Sequence, residues 1–211
     1  MISRTLPMKG TLSAQVTRAP GPGLAWKLRN NLRPSFWMGW LFVMLAHALS
    51  RLTGIVTLTS QLSVRLRRAS GEWIDYGVVS RRVITDTGVA LLVDDWQAGT
   101  PRINGMNYHG CGTGVGAEAA GNTALGTEST TILNPDSTRA TGTITQPTAP
   151  VVQSVGVVTF DGAGAITEHG ILNQAATGGG VLWDRSVFAA INVAGGDTIT
   201  FTYQCTITAG T

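Results

Sequence analysis

The first 71 residues contain no aspartate or glutamate, although they hold ten lysines and arginines. All twelve acids lie in residues 72–211, against five arginines, so a segment of charge +10 precedes one of −7. The overall +3 is therefore not a mild, even balance. Such a split suits nucleic acid, an anionic membrane or an acidic protein. It equally suits head-to-tail contacts in which the basic arm of one copy meets the acidic body of the next. Contact with copies of itself or with a partner protein is the preferred reading, because no recognised nucleic-acid motif is present. Lysine stops at Lys27, which removes the Gly-Lys-Ser/Thr closure of a phosphate loop. Two cysteines, Cys111 and Cys205, are too few for a disulfide framework, and buried free thiols are expected.

Charged residues make up only 13% of the chain, about half the usual share. With 27 glycines and much threonine, this fits a turn-rich β protein whose surface is covered by neighbours. Long apolar runs are missing with one partial exception, Phe36–Leu49, flanked by Arg33 and Arg51. A bilayer span needs roughly 20 apolar residues, and a run of 10–14 more often marks a buried or interfacial helix. A helix packed in the chain or buried in an oligomer is expected, with membrane contact as the less favoured alternative. Pro7, Pro20 and Pro22 ahead of the run argue against a signal peptide.

The pattern that is present is two-residue alternation. Ile199, Phe201, Tyr203, Cys205 and Ile207 fall on one face of a strand, and threonines with Gln204 on the other. Gln61–Arg67 alternates likewise, and Trp73–Val79 returns as a hairpin after a turn at Ala69–Glu72. Strands are also expected at 139–146, 151–160, 165–172 and 181–188, separated by Gly- and Pro-rich turns. The spacing predicts a mainly β fold, a β-sandwich or jelly-roll-like domain over 60–211. Residues 1–59 are expected to form an extended basic arm, to about residue 34, and one apolar helix capped by Ser35 and broken at Gly54. A threonine-rich strand at 55–58 and a short helix opening at Thr85 or Asp86 complete the prediction.

Few residues invite chemistry. Gly110, Gly112, Gly114 and Gly116 lack the spacing of a dinucleotide fingerprint, and a tight loop is expected. His109 and Cys111 share a strand face as two zinc ligands would, but His47 and His169 are distant in sequence. His169 and Glu168 point to opposite faces. Asp94-Asp95 and Asp184-Arg185 read as surface or interface salt bridges. No catalytic residue, cofactor or metal site is expected, and the chain is read as not an enzyme.

Four stretches resemble virion structural proteins of tailed bacteriophages: Tyr108–Glu128, Asn134–Thr143, Ile166–Phe188 and Ile191–Asp197. The likeness covers roughly residues 60–211. It implies a capsid decoration (cement, auxiliary) protein, with a tail-fibre or baseplate receptor-binding module as the alternative. It implies synthesis in the bacterial cytoplasm and residence on the capsid surface. The implied partners are the major capsid protein and further copies, as a homotrimer. The assembly interface is expected at Trp37, Trp40, Leu41, Phe42 and Leu45, with Arg29 and Arg33 beside them.

Overall fold

The computed structural model describes residues 19–81, 83–98 and 102–210. Most of the expected arm, residues 1–18, lies outside the described residues, as does the Gly99–Pro101 stop after the short helix. The elements are α1 (Leu24–Asn31), α2 (Pro34–Thr53), β1 (Thr57–Arg67), β2 (Trp73–Ser80), α3 (Asp86–Ala98), a 3-10 turn (Ile103–Gly105), β3 (Tyr108–Gly112), β4 (Ala140–Thr141), β5 (Thr143–Thr148), β6 (Val151–Thr159), β7 (Gly164–Leu172), β8 (Leu182–Val193) and β9 (Thr198–Thr208). The fold is mainly β and sandwich-like. Sheet A has the order β2-β1-β9-β6-β5, sheet B the order β4-β3-β7-β8, and every pairing is antiparallel.

Alternation builds the core. β1 and β9 pair without a slip from Thr57↔Thr208 to Arg67↔Thr198, so the apolar sets of both strands land on one face. Leu62, Val64, Leu66, Ile199 and Phe201 are fully buried there, and pack with Ile166, Phe188 and Ile191 of sheet B in one cluster. Each such side chain contributes about 1.5–3 kcal/mol through burial. Rather than two short strands around residue 60, β1 is a single strand beginning at Thr57.

The strand expected at 139–146 splits at Gly142: β4 belongs to sheet B and β5 to sheet A. A side chain at Gly142 would run into the His109 ring and Ser154, so the chain changes sheets where only glycine fits. On the outer face of sheet B, Leu125 from the loop 113–139 lies against Gly110 and Gly170. With buried Leu172 and Leu182 it forms a satellite core.

The helices depart most from expectation. Residues 24–31, expected to be extended, form α1, because what fastens this segment is not an apolar period. β8 carries two extra residues opposite Thr167, between Ile166↔Ile191 and Glu168↔Val187, and the bulge frees backbone groups. α1 satisfies them. Trp26 Nε1 donates to the carbonyls of Ala189 (3.2 Å) and Ala190 (3.0 Å), and Asn30 Oδ1 accepts from Ala189 N–H at 3.0 Å. Asn30 Nδ2 also donates to Val79 O at 3.3 Å. The N-cap of α2 is Arg33 with Pro34 at the first helical position, not Ser35, and Gly54 ends the helix in the left-handed region at φ 70°. Thr85 caps α3, its Oγ1 accepting from Gly88 N–H at 3.1 Å.

Candidate functional site

Two sets of buried polar groups concern chemistry, one between the sheets and one on the outer face of sheet B. Between the sheets, His109 Nδ1 lies 3.0 Å from His169 Nε2, and His109 Nε2 lies 2.9 Å from Ser154 Oγ. The registers Cys111↔His169 and His109↔Ile171 put Cys111 on the same face, so the pairing brings the distant His169 to His109 and Cys111. The two imidazoles bond to one another rather than surrounding a common point. Among the described residues no group of three or more His, Cys, Asp and Glu converges on a metal-sized centre. Burial disfavours the charged imidazole, holding His109 down to about 3 and His169, which also faces His109, well below its ordinary value. Burial pushes both thiols up, Cys205 to about 12.

Asp184 and Arg185 do not form the surface salt bridge expected of them. Adjacent strand residues face opposite ways, and both are buried. Asp184 turns toward sheet A and accepts from Ser60 Oγ at 2.6 Å and Ser186 Oγ at 3.2 Å. Burial raises its carboxyl to about 8 despite those hydrogen bonds. Beside it Trp183, the extra residue of a second bulge, donates to the Tyr203 hydroxyl at 2.7 Å.

Arg185 turns outward and grips Glu168 Oε2 through Nε (3.0 Å) and Nη2 (2.7 Å). Glu168 also accepts from the amides of Gly114 (3.0 Å), Gly126 (2.9 Å) and Thr127 (2.7 Å). Those hydrogen bonds and the guanidinium hold its carboxyl below the usual range against the opposing effect of burial. A side chain at Gly112 or Gly114 would overlap the Glu168 carboxylate, which accounts for two of the four glycines in the run. The loop wraps an anion, but the anion is internal. Glu128 and Arg139 repeat the arrangement through two contacts of 2.6 and 2.9 Å, with Gly178 N–H on Glu128 Oε2 at 3.0 Å. Asp95 pairs with a backbone amide, Ile103 N–H at 2.9 Å, while Asp94 is exposed. These long-range partners had no local signal in the sequence.

The expected interface residues sit together on α2, with Arg29 on α1 and Arg33 between the helices. Gly39, Val43, Ala46, His47 and Ser50 form the covered stripe of α2. At 100° per residue, the exposed side chains from Trp40 round to Phe42 span an arc of roughly 200°. Trp37 is 59% exposed, Trp40 46%, Leu41 51%, Phe42 54% and Leu45 54%. α1 adds an exposed row of Leu24, Leu28 and Leu32. No helix among the described residues is long and apolar enough to cross a membrane.

A third feature is the outer face of sheet A. Gln61 Nε2 donates to Gln204 Oε1 at 2.5 Å, and Gln204 Nε2 to Gln153 Oε1 at 2.8 Å, an amide ladder across three strands. Arg65 stacks 4.9 Å above the centre of the Trp73 ring, near Arg67. No family model, curated protein or solved structure matches the chain.

Proposed function

We propose that this chain is a structural component of a tailed-bacteriophage particle, a capsid decoration or cement protein. Its sandwich body is a rigid unit, and the uncovered face of α1 and α2 holds it to the shell and to its neighbours. The observation that carries the reading is the apolar arc of α2, far wider than scattered surface leucines produce. One helix contact covers a stripe of about 100°. Two neighbours are therefore needed to cover roughly twice that, as in a ring of three copies. The phage-like stretches Tyr108–Glu128 and Ile166–Phe188 are the second support, and they coincide with the clasped loop and β7–β8. In this reading the protein is made in the bacterial cytoplasm, resides on the virion surface beside the major capsid protein, and catalyses no reaction.

Quantitative mass spectrometry of purified virions tests it. Hundreds of copies per particle support a place on the shell, and absence from the particle overturns the proposal. A dozen or fewer copies favour the second reading, a tail-fibre or baseplate module. The feature behind that alternative is the amide ladder and the arginine-stacked Trp73, a flat hydrogen-bonding surface suited to a host glycan.

A further inference from the structure

Beneath α2 lies a cleft that meets the outward-facing arc only at its edge, at Phe42. Its apolar part, about 310 Å³, is lined by Phe42, Val43, Ala46, Leu58 and Ile84. Its polar part, about 230 Å³, is lined by His47, Gln61, Gln204, Thr206 and Arg81. The two share Val43, Thr59, Ser60 and Arg81, so they form one groove with a greasy end and a polar end. The apolar part alone reaches the lower bound of roughly 300 Å³ typical of small-molecule sites.

Two polar groups in the groove have nothing to bind. His47 Nε2 is buried without a hydrogen-bond partner. Arg81 is half-buried, and among the described residues no carboxylate or other acceptor engages its guanidinium. A partly desolvated guanidinium with no partner is costly, and a carboxylate or phosphate relieves that cost through two parallel hydrogen bonds. None of the described lining residues is acidic. Asp184 lies behind the groove on Ser60 Oγ, but its carboxyl, raised to about 8, is uncharged at neutral pH and does not repel an anion.

We propose that this groove is a binding site for a small amphiphilic anion, a compound with a carboxylate or phosphate head and a short alkyl tail. Arg81 and His47 take the head, over the floor set by Gln61 and Gln204. The tail lies between α2 and Leu58 and Ile84. The site does not rest on the virion reading, since it belongs to the covered side of α2 and shares only Phe42 with the exposed arc.

Isothermal titration calorimetry of the full chain at pH 7 tests the proposal, with octanoate, octyl phosphate, octanol, acetate and inorganic phosphate as probes. Octanoate or octyl phosphate is expected to bind at least 10-fold more tightly than octanol and than its own tailless anion. Whichever of the two binds better identifies the head group. Arg81→Gln is expected to weaken the anionic probes at least 10-fold and leave octanol unchanged, with the thermal midpoint of the free protein unaltered. The comparison among probes on the unmodified chain needs no variant. If the better of the two anionic probes bound no more tightly than octanol or than its own tailless anion, if nothing bound, or if the Arg81→Gln chain bound as before, the assignment would be overturned.

Discussion

In the sandwich, Glu168 is buried and its carboxylate accepts five hydrogen bonds, three from the backbone and two from Arg185. In α2 the situation is inverted: large apolar side chains from Trp37 to Leu52 stand about half or more in solvent, and none of the described residues covers them. At Glu168 the body buries a charge and matches it, whereas the helix exposes its apolar groups and leaves them unmatched by the described residues. The paired charges Glu168–Arg185 and Glu128–Arg139 thus hold loops to sheet B, while the greasiest segment of the described residues is the one left in solvent. α1 lies between the two cases, since Trp26 and Asn30 tie it to β8 while its leucines face outward.

The largest expected effect comes from attacking the matched charges. Arg185→Met leaves the Glu168 carboxylate buried without its cation, and should cost about 3–5 kcal/mol in urea unfolding. A loss under 1 kcal/mol would mean that the loop amides alone satisfy Glu168. Asn30→Ala comes next. It strands Ala189 N–H and Val79 O, and a loss of about 1–3 kcal/mol is expected. A neutral outcome would detach α1 from the body and align it with α2.

The inter-sheet cluster predicts a pH profile with two opposing limbs. His109 and His169 are neutral in the folded state, and both take up protons near 6.5 once unfolded. Their contribution is complete above that value and is lost as pH falls toward about 3. Asp184 acts in the other direction. Folded, it keeps its proton to about 8; unfolded, it loses it near 3.8, so its contribution declines as pH rises between those values. As pH rises from ~4 toward ~6.5, two protons on the histidines outweigh one on Asp184, and stability should rise. From ~6.5 to ~8 only Asp184 among these three acts, and stability should fall. Urea midpoints across pH 4–8 locate the maximum near 6.5. Asp184→Asn, which stays neutral throughout, should flatten the upper limb, and an unchanged upper limb would remove Asp184 from the account.

Much of the fold was legible because its signals are local. Alternation in Thr198–Thr208 and Gln61–Arg67, the turn at Ala69–Glu72, the Thr85 cap and the left-handed Gly54 each depend on neighbours a few residues away. What was not legible depends on distant partners. α1 escaped notice because a tryptophan and an asparagine hold it, and neither makes an apolar period. Asp184 and Arg185 looked like a pair because they are adjacent, but the strand sends one to Ser60 and the other to Glu168. The expected interface residues were legible as a greasy run. Which side of the helix they occupy emerged only once the body covered Gly39, Val43 and Ser50.

The smallest effect on stability should accompany the largest effect on assembly. Leu41 and Leu45 lie on the exposed arc of α2 at 51% and 54% exposure, opposite the stripe that meets the body. Converting both to aspartate removes few contacts within the chain. The helix has no acid of its own to repel the new charges, and Arg51 lies beyond the next turn. Urea unfolding of the dilute chain should shift by no more than about 0.5 kcal/mol per substitution, the usual range for exposed positions. Where copies or a shell cover the arc, the same changes bury two carboxylates against apolar surface, at several kcal/mol per ion. Attachment to particles and self-association, followed by co-sedimentation and by sedimentation velocity, should therefore collapse while folding persists. Retained attachment would mean that the sandwich, not α2, makes the contacts, and a large loss of stability in the dilute chain would mean that the body covers this arc after all.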